Sequence, residues 1–258
     1  MLIAMTPPTD LARNAALDAL ARRLGRLGGG AERLEAVPVA PLGAASMDAA
    51  LPGGGLRFGA VHEVAGSGAA GFTAALLARF AAARQGALLW CQHRRRLHAE
   101  GRLYAPGLRQ LGVDPARLLM VEAKDDTEVL WVLEEALRSP AITAAVGEVS
   151  EVDLFRTRRL QLAAEAGGGA GLLLRPREIG VEPSAAATRW RVWSGARDPR
   201  APPPRPSLAP PRWTAELWRV KGAVPARFEV AFDEQALRFH LAADLADRPL
   251  AVGRQQAG

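Results

Sequence analysis

Lysine is almost missing from this chain although basic residues are not: of 33 lysines and arginines, all but Lys124 and Lys221 are arginine. Cysteine is scarcer still. Cys91 stands alone, which excludes an intramolecular disulfide and agrees with a reducing compartment. No run of eighteen apolar residues occurs, so a membrane-spanning helix is not expected. The first residues also lack the basic, apolar and small-residue order of a secretory signal. The expectation is a cytoplasmic protein with no membrane partner.

What the chain does have is arginine, alanine, 26 glycines and 19 prolines in 258 residues. That length can bury a sizeable core, so one large α/β domain with terminal additions is expected. The net charge of +6 favours encounter with nucleic acid or with an acidic protein and does not choose between them. Leu17, Leu20, Leu24 and Leu27 follow a three-four-three spacing that lines one helix face, with Thr9 as its N-cap. A Pro/Ala/Gly stretch over residues 35–47 reads as a linker, so residues 1–47 are taken as a docking helix and linker.

The central segment alternates short apolar runs with helical ones. Strands are expected at 61–64, 87–91, 118–121, 143–149 and 171–174, and helices at 72–84, 100–111, 126–138 and 154–166. This alternation predicts a mainly parallel sheet covered on both faces by helices. Leu130, Trp131 and Leu133 read as core packing, and residues 189–193 as an edge strand. After a Pro-rich loop at 195–212, antiparallel strands are expected at 213–220, 227–233 and 237–241. The core domain is therefore placed at 48–241 and a tail at 242–258.

One octapeptide carries chemistry. Gly66-Ser67-Gly68-Ala69-Ala70-Gly71-Phe72-Thr73 lies between a strand and a helix and has the skeleton of a phosphate-binding loop. Such a loop cradles phosphates with backbone N–H groups, reaches the β/γ oxygens with a lysine and holds magnesium with a hydroxyl. Gly66, Gly71 and Thr73 keep their places here, but Phe72 fills the lysine slot. A benzyl group supplies no charge-assisted hydrogen bond, which contributes about 1.5–3 kcal/mol.

The order of elements resembles the core of the RecA recombinase family, a RecA-like P-loop NTPase fold, and more closely that family's diverged SOS-mutagenesis relative, the ImuA family, also described as SulA-like. The residues that carry this are 47–56, the loop at 66–73, Leu89-Trp90-Cys91-Gln92-His93 with Arg94, Arg95 and Arg96, residues 103–108, and the run Leu111-Gly112-Val113-Asp114-Pro115-Ala116-Arg117-Leu118-Leu119. By this resemblance Gln92 takes the place of the glutamate that polarises water, and Glu148 that of the Walker B aspartate. Glutamine orients a water but cannot accept its proton as a carboxylate does. With Phe72, three catalytic roles have changed together, so the resemblance implies a pseudo-ATPase with no catalytic residue, no metal and no cofactor; whether ATP and magnesium still bind without hydrolysis stays open at the level of sequence.

The resemblance also implies interfaces. The Leu17–Leu27 helix and the Arg219–Lys221 strand resemble elements that meet a neighbouring protomer. Arg94, Arg95, Arg96, Arg175 and Arg177 are candidate DNA contacts, with phosphate binding that weakens with salt. The implied partners are RecA, the inactive Y-family-like polymerase homologue ImuB, an error-prone DnaE-type polymerase and DNA, reached directly or through them. The expected function is a non-catalytic adaptor of damage-induced mutagenesis and translesion synthesis. Its rivals are an active DNA-stimulated ATPase, a SulA-like inhibitor of cell division and a sequence-independent DNA-binding module.

Overall fold

In a computed structural model, residues 37–175, 182–195 and 211–241 are described. The chain divides after Val37, and every described element belongs to the unit that begins at Pro38. The Leu17–Leu27 helix, Arg177, most of the Pro-rich loop and the tail lie outside the described residues.

The described elements, in chain order, begin with β1 (Val39–Ala40), α1 (Ala45–Ala49), β2 (Leu56–Arg57), β3 (Ala60–Ala65), α2 (Ala69–Ala83) and β4 (Ala87–His93). They continue through α3 (Arg94–Glu100), α4 (Ala105–Gln110), β5 (Leu118–Ala123), α5 (Asp126–Arg138), β6 (Ile142–Glu148), α6 (Leu154–Gly167) and β7 (Ala170–Arg175). The last are β8 (Thr188–Ser194), β9 (Arg212–Val220), β10 (Ala226–Asp233) and β11 (Arg238–Leu241). One nine-stranded sheet runs in the order β11-β10-β9-β8-β3-β7-β6-β4-β5. From β8 to β5 every pairing is parallel, and from β8 to β11 every pairing is antiparallel. The expected α/β architecture is therefore present: a mainly parallel sheet between helices, extended by antiparallel strands.

The two faces have separate cores. Alanine and leucine in α2 meet Val64, Val146, Leu172 and the aromatics of β8–β11 on one face. Leucines and valines of α5 and α6 meet Val61, Ala145 and Leu173 on the other. Neighbours along β3 thus point to opposite cores, as strand pleating requires. α5 starts where Asp125 accepts the Glu128 N–H at 2.9 Å while the Glu128 carboxylate takes the Lys124 N–H at 2.8 Å. This reciprocal cap satisfies donors that the first helical turn leaves free. α6 starts on Asp153, which accepts the Arg156 N–H at 2.7 Å, and ends at Gly168 in the left-handed region.

Four expectations are corrected. Residues 38–47 are no linker: Ala40, Leu42, Ala44 and Met47 are buried in the α2 core, because the apolar side chains of this proline- and glycine-containing stretch fit there. The helix expected at 100–111 is shorter, α4 at Ala105–Gln110, and a separate helix, α3, ends where it was expected to begin. Gly101, at φ 85°, closes α3, and Pro106, which lacks an N–H, sits in the first turn of α4. Residues 189–193 form an interior strand, β8, between β3 and β9. Arg189 is buried beside Glu63 rather than exposed at an edge, while Arg191 is half-buried with Glu216 of β9 at 3.9 Å. Finally, Leu130 and Leu133 are buried but Trp131 is 61% exposed, since it lies on the outer side of α5.

Candidate functional site

The glycine turn sits at the carboxyl end of β3, the place where open α/β sheets bind ligands. Two features close it. First, α2 begins at Ala69, with Gly68 as its N-cap, so five residues of the expected loop, 69–73, are wound into helix. Ala69 and Ala70 have the highest helix propensity available and extend the helix into the loop. Second, the turn is packed against its own sheet. The Gly68 N–H donates to the Val192 carbonyl of β8 at 3.0 Å.

Space around the turn is used up by protein. A Cβ on Gly66, whose φ is 111°, would lie 2.3 Å from the Val192 carbonyl oxygen. A Cβ on Gly68 would lie 2.7 Å from the Trp213 ring and 2.8 Å from the Trp193 carbonyl carbon. Gly71 faces the same indole, at 3.2 Å from a hypothetical Cβ. The glycines therefore permit close approach of β8 and of Trp213 on β9. That is a different use of glycine from wrapping a phosphate.

Phe72 turns away from the sheet ends and into the core. Fully buried, it meets Trp190, Trp213 and Phe239 at ring-centroid distances of 5.6, 5.7 and 5.1 Å. Its ring joins α2 to β8, β9 and β11. Thr73 is buried as well, and its hydroxyl has no hydrogen-bond partner among the described residues. The residues of this turn do not fit a nucleoside triphosphate with magnesium: the cation is replaced by an aromatic ring, a cradle N–H is bonded to β8, and the volume is taken by an indole.

Gln92 and Glu148 are brought close, each following the paired residues Cys91 and Gly147 of adjacent strands. Both are buried and committed. Gln92 accepts the Leu103 N–H at 3.3 Å, which fastens the chain before α4. Glu148 accepts from the Trp90 indole at 3.0 Å and from the His93 N–H at 3.4 Å, with the Arg96 guanidinium at 3.9 Å. Cys91 lies on the opposite face of β4, where burial foremost, then the Glu148 and Glu128 carboxylates, push its thiol up to about 12. It is no nucleophile at neutral pH.

The candidate DNA and interface residues separate. Arg94 and Arg95 are exposed in the first turn of α3, while Arg96 is turned toward Glu148. Arg175 is not at the surface: its guanidinium lies 3.9 Å from the buried Glu63 and donates to the Ser150 carbonyl at 3.3 Å. Its sequence neighbours gave no sign of this, because the partner lies on β3. Arg219 is exposed. Lys221 reaches back to the Ala185 carbonyl of its own chain at 2.6 Å, and burial, then Arg158, hold its pKa below the usual lysine value.

The sequence reading missed the group that anchors β3 beside the turn. Glu63, fully buried, pairs with Arg189 at 3.1 Å and accepts from Ser184, while Arg189 also donates to the Glu182 carbonyl at 2.8 Å. The available signal is the alternation of charged and aromatic residues over Arg189–Trp193, which by itself reads as an edge strand.

Fold and site together define an α/β protein with a mainly parallel sheet whose glycine turn, at the strand ends, is packed shut. Among known proteins, two chains named Protein ImuA, from Caulobacter vibrioides strains NA1000/CB15N and ATCC 19089, are each 38% identical to this one over 236 residues. The alignments cover 83% of this chain and 93% of each relative. This chain belongs to the ImuA family. No protein-family model matches it.

Proposed function

We propose that the chain is a non-catalytic, RecA-like adaptor of DNA-damage-induced (SOS) mutagenesis and translesion synthesis. In this reading it engages RecA and brings in an ImuB and DnaE-type polymerase assembly. The fold descends from a P-loop NTPase, and the order of its parallel strands, with the glycine turn after β3 and carboxamide and carboxylate at the ends of β4 and β6, supports that descent.

The observation that carries the reading is the turn closed by Val192 and Trp213 with Phe72 in the core. A motor lacking its cation and its cradle loses the donors that stabilise transition-state charge, each worth about two to three decades in rate. What such a fold retains is surface. Membership of the ImuA family supports the mutagenesis setting and the choice of partners.

The test is association of the purified chain with RecA, RecA filaments on single-stranded DNA, and ImuB. The expected result is binding to RecA or to ImuB that does not depend on added ATP hydrolysis by this chain. Absence of binding to both removes the reading.

A further inference from the structure

We propose that Arg57, Arg158, Arg219 and Lys221 form a binding site for the phosphodiester backbone of nucleic acid, on the α6 side of the sheet at the amino end of β3. The site adds a direct contact with nucleic acid to the adaptor reading and does not depend on it.

Three separate elements bring these cations together, and a bulge in one strand aims them. Trp218 is an extra residue in β9: Trp190 of β8 pairs with Leu217, yet Arg189 pairs with Arg219. In an unbroken strand Arg219 would share the side of Leu217, which is buried in the α2 core. The bulge turns it instead to the side of Arg189 and Glu63, which is the side of α6. Beyond it the Lys221 ammonium donates to the Ala185 carbonyl at 2.6 Å. The Ala185 N–H in turn donates to the hydroxyl of Thr157, the neighbour of Arg158 on α6, at 3.1 Å. Arg57, the last residue of β2, lines one crevice with Lys221, Thr188 and Val220. Lys221 is the centre on which the three arginines act: burial foremost, then Arg158, Arg219 and Arg57, hold its ammonium below the usual lysine value, and Glu165 opposes them.

The carboxylates of the surrounding elements do not cancel this charge. Glu165 accepts from Gln161 at 2.9 Å and is the one carboxylate that acts on Lys221 among the described residues. Glu63 is taken by Arg189 and Ser184, Glu182 lies 3.9 Å from Arg189, and Glu216 lies 3.9 Å from Arg191. Asp48 accepts the N–H groups of Leu42 and Gly43. Arg57, Arg158 and Arg219 are exposed and make no ion pair with a described residue. Four cations therefore face one carboxylate, and like charges held together repel until an anion arrives.

The chemistry of the four selects phosphate. Guanidinium groups present paired N–H donors that match phosphate oxygens, and a backbone offers successive phosphates to cations spread over three elements. The crevice between Arg57 and Lys221 holds about 10 Å³, which admits no nucleoside, so the contact is with phosphates at the surface and carries no base preference. An acidic protein segment fits less well. Protein interfaces place apolar groups at the centre and polar ones at the rim. Here the cations are central, and the exposed Leu162 and Val224 stand one turn of α6 beyond Arg158 and three residues beyond Lys221. A second copy docked about a twofold axis would set these cations against themselves.

The experiment titrates the full-length chain into a fluorescent single-stranded oligonucleotide of about 16 nucleotides, and into a duplex of the same length, at several salt concentrations. Anisotropy is expected to report binding that weakens with salt and ignores sequence. The triple variant Arg57→Ala, Arg158→Ala, Arg219→Ala loses exposed, unpaired side chains, and its circular dichroism is compared with the parent. It is expected to bind at least tenfold more weakly at about 0.1 M salt, with a log–log salt slope shallower by about two for the single strand. The proposal is overturned if neither oligonucleotide binds, or if the triple variant binds like the parent. It is equally overturned if a polyglutamate peptide, or ATP at equal phosphate concentration, displaces the oligonucleotide as well as unlabelled oligonucleotide does. Association with RecA and ImuB, measured without nucleic acid, is expected to be unchanged in the triple variant; its loss would assign the cluster to a protein partner and overturn the proposal. Failure of oligonucleotide binding with those associations intact removes this site and leaves the adaptor reading standing.

Discussion

Phe72 occupies the position at which a phosphate-binding loop carries its cation, and its ring is surrounded by Trp190, Trp213 and Phe239. One residue thereby moves from chemistry to packing. Emptying such a site costs the transfer free energy of the ring together with a cavity, so Phe72→Ala is expected to lower stability by about 3–5 kcal/mol in denaturant unfolding. A loss below about 1 kcal/mol would mean that the ring is not the joint between α2 and the antiparallel strands. Restoring lysine does not restore a motor: Phe72→Lys places an ammonium among three aromatic rings with no paired charge, and is expected to destabilise the chain more than alanine does. The substitution itself was legible in the sequence. The use of the freed space was not, because Trp213 and Val192 are more than a hundred residues away and no local pattern announces them.

At the scale of elements, β3 is held by two buried polar joints on its opposite faces. On one face Glu63 meets Arg189 of β8. On the other His62 bonds Thr188 of β8 at 2.8 Å and the Arg57 carbonyl of β2 at 2.9 Å. Burial, against a partial counter-effect of that carbonyl, lowers the imidazole from its ordinary value of 6.5 to about 4. Between these values the unfolded chain binds a proton that the folded chain refuses, so stability is full above pH 6.5 and declines as pH falls toward 4. The decline from this one group is about 3 kcal/mol. Urea unfolding across that interval is expected to show a slope that His62→Gln flattens; an unchanged slope in the variant would place the proton elsewhere. Strands and helices with clear periodicity, such as α5 and β6, could be read directly from the sequence. The break between α3 and α4 was also written there, in Gly101 and Pro106. The interior place of β8 was not, since only pairing with β3 sets Arg189 against the buried Glu63.

At the scale of the whole molecule, the sheet order places the glycine turn, Gln92 and Glu148 at the carboxyl ends of parallel strands, where a nucleotide enzyme would work. The same ends are sealed from within by β8, β9 and committed hydrogen bonds. The resemblance read from the sequence and the 38% identity to Protein ImuA agree on the family.

The most direct measurement is titration of the purified full-length chain with ATP and magnesium, followed by turnover in the presence of RecA and single-stranded DNA with RecA's own hydrolysis subtracted. The account predicts no saturable heat of binding and no turnover that differs between the parent and Thr73→Ala. Saturable binding with turnover lost in Thr73→Ala would contradict it, and would mean that the turn opens to take a nucleotide.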